Sequence, residues 1–302
     1  MKDHLMDPGV AKKPAGNAQI SRHCPPKRIL VALDPSQASA IAWEEGLIFS
    51  KIWNAKIEGV YVQPWLWAGN SEFGYADPQL TAKTSEETVE RLRKNLGIKE
   101  RIVSLPGDPI EEIVRWAHSN RFDLIVLGTQ SRLGLARAFY SSVAEAVVRK
   151  TRVPVLIAKK PVKKPERILA PYDLNSRSVF GLEFAAACAK SMGASLNIFH
   201  VAATPSVEFS GDLSHIKKSV LSGLEGLPDS QRPQKIEAQV AWGKPINEIL
   251  KASLESDLVV LAARSRGFLE DMILGTTAER VIRYSESSVL AVPEISAEES
   301  KS

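Results

Sequence analysis

The sequence repeats itself. Residues 123–158, DLIVLGTQSRLGLARAFYSSVAEAVVRKTRVPVLIA, align without a gap on residues 257–292, DLVVLAARSRGFLEDMILGTTAERVIRYSESSVLAV, with 13 identities in 36 positions. RILVALD at 28–34 returns as RILAPYD at 167–173, and GDPIEEI at 107–113 returns as GKPINEI at 243–249. The separation of matched segments drifts from 139 to 136 to 134 residues along the chain. Repeated order with small length changes between the segments is a duplicated domain, not a short-period solenoid. A chain of 302 residues has room for two such domains.

Each copy alternates two patterns. Short β-branched runs at 29–33, 57–62, 101–105, 124–127 and 153–158 are predicted strands. Between them lie segments of helical periodicity. One covers 36–53, with Ser36 or Ser39 as its cap; another covers 109–118, with Asp108 as N-cap and Pro109 in the first turn; a third runs from about 142 to 150. The second copy gives the same series, ending in the run from Ser288 to Pro293. Continuously apolar strands separated by helices imply a parallel sheet covered on both faces. The expected fold class is therefore α/β, two tandem doubly wound five-stranded parallel-sheet domains. The charged, proline-containing stretch KKPVKKPE at 159–166 marks the boundary. The expected layout is a disordered leader (1–27), a first domain (28–159), a linker (160–166), a second domain (167–293) and a tail (294–302).

Composition excludes several functions. Six basic side chains in the first 28 residues stand against Asp3 and Asp7, which accounts for the whole formal charge of +4 and leaves the remainder balanced. A nucleic-acid binder would carry a basic face with aromatic stacking motifs. No apolar stretch is long enough to span a bilayer, and the leader lacks the apolar core of a secretory signal. Two cysteines, Cys24 and Cys188, are no disulfide framework and suit a reducing cytoplasm. The five histidines have no metal-ligand spacing, and neither a G-x-S-x-G elbow nor a complete Walker A sequence occurs.

In a doubly wound sheet, ligands bind beyond the carboxyl ends of the strands, where the strand order reverses. The first and fourth strands of each copy flank that crevice. Asp34 and Asp173 follow the first strands, while Gly128-Thr129-Gln130-Ser131 and Ala262-Ala263-Arg264-Ser265 follow the fourth. The pairs Ser141-Ser142 and Gly275-Thr276 are expected to open the next helix, whose N-terminus offers unpaired N–H groups to an anion such as phosphate. The plain alternative is that these are ordinary turn and cap residues.

The motifs RILVALD, GDPIEEI, DLIVLG, SSVAEAVV and VPVLIA resemble the universal stress protein family, and their recurrence resembles its tandem-domain members. The resemblance spans almost all of residues 28–293. It implies strand order 3-2-1-4-5 and an adenine-nucleotide α-hydrolase-like fold. ATP-binding members share a pattern G-x2-G-x9-G-(S/T), with an Asp after the first strand and a Val at the end of the second on the adenine side. Carried over, the first copy supplies Asp34, Val62, Gly128, Ser131, Ser141 and Ser142. The second supplies Asp173, Val201, Ala262, Ser265, Gly275 and Thr276. Neither copy keeps all three glycines. The first retains Gly128, where the chain is expected to pass close to a ligand; the second retains the Gly-Thr helix entrance.

The resemblance implies a cytoplasmic stress-response binding protein with ATP in at least one half, no metal, and no catalytic residue. The alternatives are an ATP-hydrolysing or adenylating enzyme of the same fold, and a scaffold whose nucleotide sites are both lost. It also implies pairing through the last strands, so that the runs from Val153 to Ala158 and from Ser288 to Pro293 lie side by side and one chain mimics a dimer. A homodimer of the whole chain and an unidentified protein partner are open; nucleic acid and membrane are not expected. Three further readings concern single residues. Trp65 and Trp67, after the second strand, are a lid over the crevice or, more plainly, pack against the other domain or form a satellite core under a long loop. Glu145 and Glu279 occupy the first turn of the last helix of each copy and favour its dipole. Arg132, Arg264 and Arg266 are solvated or pair with phosphate.

Overall fold

The computed structural model describes residues 24–65, 67–68, 75–76, 78–129, 137–175, 178–202, 214–263 and 275–294. The first half runs β1 (Arg28–Leu33), α1 (Gln37–Trp53), β2 (Lys56–Gln63), a small hairpin β3 (Trp67–Ala68) and β4 (Tyr75–Ala76), then α2 (Pro78–Leu96), β5 (Ile102–Pro106), α3 (Pro109–Ser119), β6 (Leu124–Gly128), α4 (Arg137–Lys150) and β7 (Val155–Ala158). The second half runs β8 (Arg167–Pro171), α5 (Val179–Met192), β9 (Ser195–Ala202), α6 (Ser214–Ser222), β10 (Ile236–Trp242), α7 (Pro245–Ser253), β11 (Leu258–Ala263), α8 (Thr276–Tyr284) and β12 (Ser288–Pro293).

The strands β5-β2-β1-β6-β7 form a parallel array, which is the order 3-2-1-4-5 expected for the first half. The second half repeats it as β10-β9-β8-β11-β12. The two arrays join edge to edge: β12 pairs antiparallel with β7, Leu290 opposite Leu156, so that ten strands make one sheet. This junction covers one edge of each half-sheet, an edge that would otherwise present unpaired N–H and C=O groups.

The strands are apolar without interruption because both faces are covered. Side chains alternate with period two. Ile29, Val31 and Leu33 pack with Trp43, Phe49 and Trp53 of α1 on one face, while Leu30 turns to the other with Ile113 of α3 and Val147 of α4. Each face is continuous across the halves, since Phe184 and Met192 of α5 share the first cluster and Val281 of α8 the second.

Matched aspartates fasten each half at the amino end of the sheet. Asp123 Oδ2 accepts from the backbone N–H groups of Lys27 and Arg28, both at 2.9 Å, and Asp257 Oδ2 accepts from those of Glu166 and Arg167, also at 2.9 Å. Asp108 caps α3 as expected, accepting from the N–H groups of Ile110 and Glu111 at 3.0 Å, with Pro109 in the first turn. At the same place in the second half Lys244 provides no side-chain cap to α7.

Polar contacts cross the junction on both faces. Arg283 of α8 donates from Nε and Nη2 to the two carboxylate oxygens of Glu145 of α4, at 2.9 and 2.7 Å. On the other face Trp53 Nε1 donates to Ser191 Oγ at 2.9 Å. Ser288 accepts from the Lys159 N–H at 3.0 Å and donates to Glu45 Oε2 of α1 at 2.8 Å. Lys159 is buried, with its ammonium 2.6 Å from the Ser285 carbonyl, so the charged stretch begins inside the junction rather than in solvent.

Two expectations are corrected. α4 begins at Arg137, five residues ahead of Ser142. Ser141 and Ser142 therefore do not open it, and their N–H groups fall within the i→i−4 ladder. For the same reason Glu145 is not in a first turn; it is a buried partner of Arg283, while Glu279 does lie in the first turn of α8. Trp65 is 45% exposed, and the side chain of Trp67 lies outside the described residues.

Candidate functional site

Each half opens a crevice at the carboxyl ends of its first and fourth strands, where the order reverses. The first has a volume of about 160 Å³ and includes Asp34, Val62 and Gly128. The second, about 310 Å³, includes Asp173, Val201, Ala262, Gly275 and Thr276. Ser131 and Ser265, with Arg132, Arg264, Arg266 and Phe209, lie outside the described residues, as do the side chains of Ser141 and Ser142.

The aspartate after the first strand is held in place by hydroxyls. Asp34 Oδ1 accepts from the Ser36 N–H at 3.0 Å, from the Ser36 hydroxyl, and from the Ser39 hydroxyl at 2.6 Å. Asp173 Oδ1 accepts from the Asn175 N–H at 3.2 Å and the Ser178 hydroxyl at 2.5 Å. Ser39 and Ser178 each stand five residues after the aspartate and line their crevices. The common spacing D-x4-S was visible in both copies, and it is the signal that would have found them.

The GDPIEEI and GKPINEI repeats also reach the site. Pro109 and Ile113 form an apolar wall of the first crevice, and Pro245 and Ile249 form the matching wall of the second. Read as a helix start alone, the repeat gives no hint of this wall. Its recurrence with the apolar positions kept was the available signal.

The halves diverge at the next helix. α8 starts at Thr276 with Gly275 as N-cap and no side-chain cap. Thr276, Thr277 and Ala278, whose N–H groups belong to the first turn, all face the crevice. In the first half the matching positions are Ser142, Val143 and Ala144, set further along α4, and Val143 replaces the Thr277 hydroxyl with a methyl. The second crevice is also more aromatic, with Tyr172 and Phe199 where the first has Leu33 and Val60. Burial, and then the charge of Asp173, push the Tyr172 hydroxyl above its usual range, so it stays a neutral donor. His200 lines the same crevice and is hydrogen-bonded, its Nδ1 2.9 Å from the Tyr172 carbonyl oxygen.

The two retained glycines have different reasons. A Cβ on Gly128 would lie 2.0 Å from the Ala38 carbonyl oxygen of α1, so the packing of α1 on β6 demands this glycine, not the approach of a ligand. In the second half the roles are exchanged: Ala262 occupies the strand position and the glycine moves to α5, where a Cβ on Gly181 would meet Ala262 Cβ at 2.8 Å. Gly275 has no such neighbour. Among the described residues nothing lies within 4 Å of its Cβ position, and its φ of −61° suits any residue.

Among the described residues no group of three or more His, Cys, Asp or Glu is placed to hold a metal, and no helix is long and apolar enough to cross a membrane.

Comparison with known proteins gives the family to which this fold and its two crevices belong. The model of the universal stress protein family matches residues 25–159 and again 165–293. The chain belongs to the universal stress protein family, with two family domains in tandem. A universal stress protein of Methanocaldococcus jannaschii is 31% identical over 144 residues, covering 46% of this chain and 85% of its own. One from Mycobacterium bovis is 27% identical over 220 residues, covering 69% and 72%. Among solved structures, a universal stress protein from Archaeoglobus fulgidus superposes with a TM-score of 0.64 at 23% identity, over 89% of this chain and 98% of that one. That likeness concerns the fold.

Proposed function

We propose that this protein is a stress-response regulator that binds ATP in its second half, and that the first half is a structural partner with no nucleotide of its own. The observation that carries this reading is the N-terminus of α8, which has no side-chain cap among the described residues and whose Thr276 and Thr277 line a crevice together with Asp173, Val201 and Tyr172. First-turn N–H groups and the helix dipole stabilise phosphate oxygens. The apolar and aromatic wall of Phe199, Val201 and Ile249 suits a nucleobase. Asp173, oriented by Ser178, is placed to accept from a ribose hydroxyl or a base amine. The family pattern supports the reading, since Gly275-Thr276 is its final element.

The site binds rather than reacts in this proposal. Occupancy of the second crevice alters the packing of α8, whose Arg283 holds Glu145 across the junction, and so adjusts a surface presented to a protein partner.

The test is a thermal melt and a titration with ATP. ATP at 100 times its dissociation constant should stabilise the chain by about 2.7 kcal/mol. Gly275→Leu should abolish the effect while leaving the unliganded melt unchanged, because no described residue lies within 4 Å of its Cβ position. No shift at millimolar ATP would overturn the reading. Steady phosphate release, lost on changing Asp173, would replace it with a hydrolase.

A further inference from the structure

The chain has two cysteines, 164 positions apart, and the fold places their sulfurs 3.2 Å from each other. Cys24 lies just ahead of β1 and is half-buried; Cys188 sits in the middle of α5 with no exposed surface. Cys24 packs on the same apolar cluster that contains Cys188, and its segment is fastened to the first half through the Lys27 and Arg28 N–H groups on Asp123. The contact thus joins the first half's leading segment to a core helix of the second. We propose that Cys24 and Cys188 form a reversible thiol–disulfide pair that locks the two halves together under peroxide stress.

The geometry requires little movement. Disulfide sulfurs lie about 2.05 Å apart, so the pair must close by about 1.2 Å, within reach of side-chain rotation at the half-buried Cys24. The oxidant is a hydroperoxide. Cys24, the accessible sulfur, attacks the peroxide oxygen as its thiolate; the O–O bond breaks, Cys24 becomes a sulfenic acid, and hydroxide leaves to be protonated to water. Cys188 then attacks the Cys24 sulfur, the S–S bond forms, and the sulfenic oxygen departs with the Cys188 proton as a second water. Two electrons pass from the thiols to the peroxide. A dithiol reverses the step by exchange. Burial, and next the neighbouring Cys24, push the Cys188 thiol well above its usual range. Cys188 therefore starts as the thiol, which leaves the first attack on the peroxide to Cys24. The sequence pattern, a leader cysteine and a helix cysteine far apart, gave no sign of the pairing.

The experiment uses the full chain, reduced, freed of reductant and treated with hydrogen peroxide. It is then unfolded in iodoacetamide and digested without reduction for mass spectrometry. The expected result is joint loss of alkylation at both cysteines and a peptide pair joining Cys24 to Cys188, two hydrogens lighter than the free peptides and released by dithiothreitol. The oxidised protein should melt higher than the reduced one, and Cys24→Ser should remove that difference while leaving Cys188 alkylatable. Cys188→Ala should leave Cys24 as a sulfenic acid captured by dimedone. Should the core variant fail to fold, Cys24→Ser at the half-buried position still decides the matter. Cys24 driven to sulfonic acid, Cys24 linked to a second chain, or both thiols intact at a dose that oxidises a free Cys24 peptide would each overturn the proposal.

Discussion

The two crevices share strand order, an aspartate after the first strand, a serine five residues later and a Pro–Ile wall, yet they differ where a phosphate would rest. In the second half a short helix begins at the crevice, with Thr276, Thr277 and Ala278 of its first turn lining it. In the first half the helix starts earlier and presents Val143 and Ala144 from its interior. The elements that build the sheet recur in both copies, and the start of the helix that meets the crevice does not. The glycines teach the same lesson: Gly128 is fixed by α1, while Gly275 answers to nothing within the described fold.

The comparison breaks most visibly at those glycines. Gly128→Val must displace the Ala38 backbone, with an expected loss of about 3 kcal/mol or more in chemical denaturation. Gly275→Ala should change stability by less than about 0.5 kcal/mol. Equal losses would show that the two positions serve the fold alike.

Next in size is the bond between the halves. Arg283→Ala leaves the Glu145 carboxylate buried without its bidentate partner and should cost about 3 kcal/mol. If the halves then melt in two steps, the junction is what makes them one unit.

The junction also carries a pH dependence. Burial pushes Glu45 up to about 8 from an ordinary 4.5, against the smaller opposing effect of the Ser288 hydroxyl. The folded state therefore holds this proton where the unfolded state has lost it, and the group's contribution falls as pH rises from about 4.5 to about 8. The wild type should lose about 2 kcal/mol relative to Glu45→Gln between pH 6 and pH 8. Parallel profiles for the two proteins would contradict the assignment.

The smallest effect separates the serines. Ser39→Ala and Ser178→Ala each remove a hydroxyl donor from a crevice aspartate and should cost about 1 kcal/mol. Only Ser178→Ala should also weaken ATP binding, measured by calorimetry. A matching loss in Ser39→Ala would assign a nucleotide to the first half.

Much of this was legible in the residues. Apolar runs flanked by helical periodicity gave strands and helices because burial on both faces forbids polar interruptions. Asp108 declared its cap because its side chain acts on N–H groups two and three residues away. Asp34 and Asp173 were placed at the crevices because their positions follow from strand ends, and Val62 and Val201 came with the family resemblance. The start of α4 was not legible, since the matched stretch around Ser142 and Thr276 carries the same small hydroxyl residues in both copies while the helix ends differ. Nor was the role of Gly128, whose reason is the carbonyl of Ala38, ninety positions earlier in the chain.

The sequence by itself determined that one α/β unit occurs twice, because local periodicity and an ordered repeat are properties read along the chain. The tertiary structure alone decided what joins the copies: β7 antiparallel to β12, Arg283 against Glu145, Ser288 on Glu45, and Cys24 beside Cys188. These contacts link residues more than a hundred positions apart, and no spacing in the sequence records which distant side chains the closing of two sheets will bring within reach.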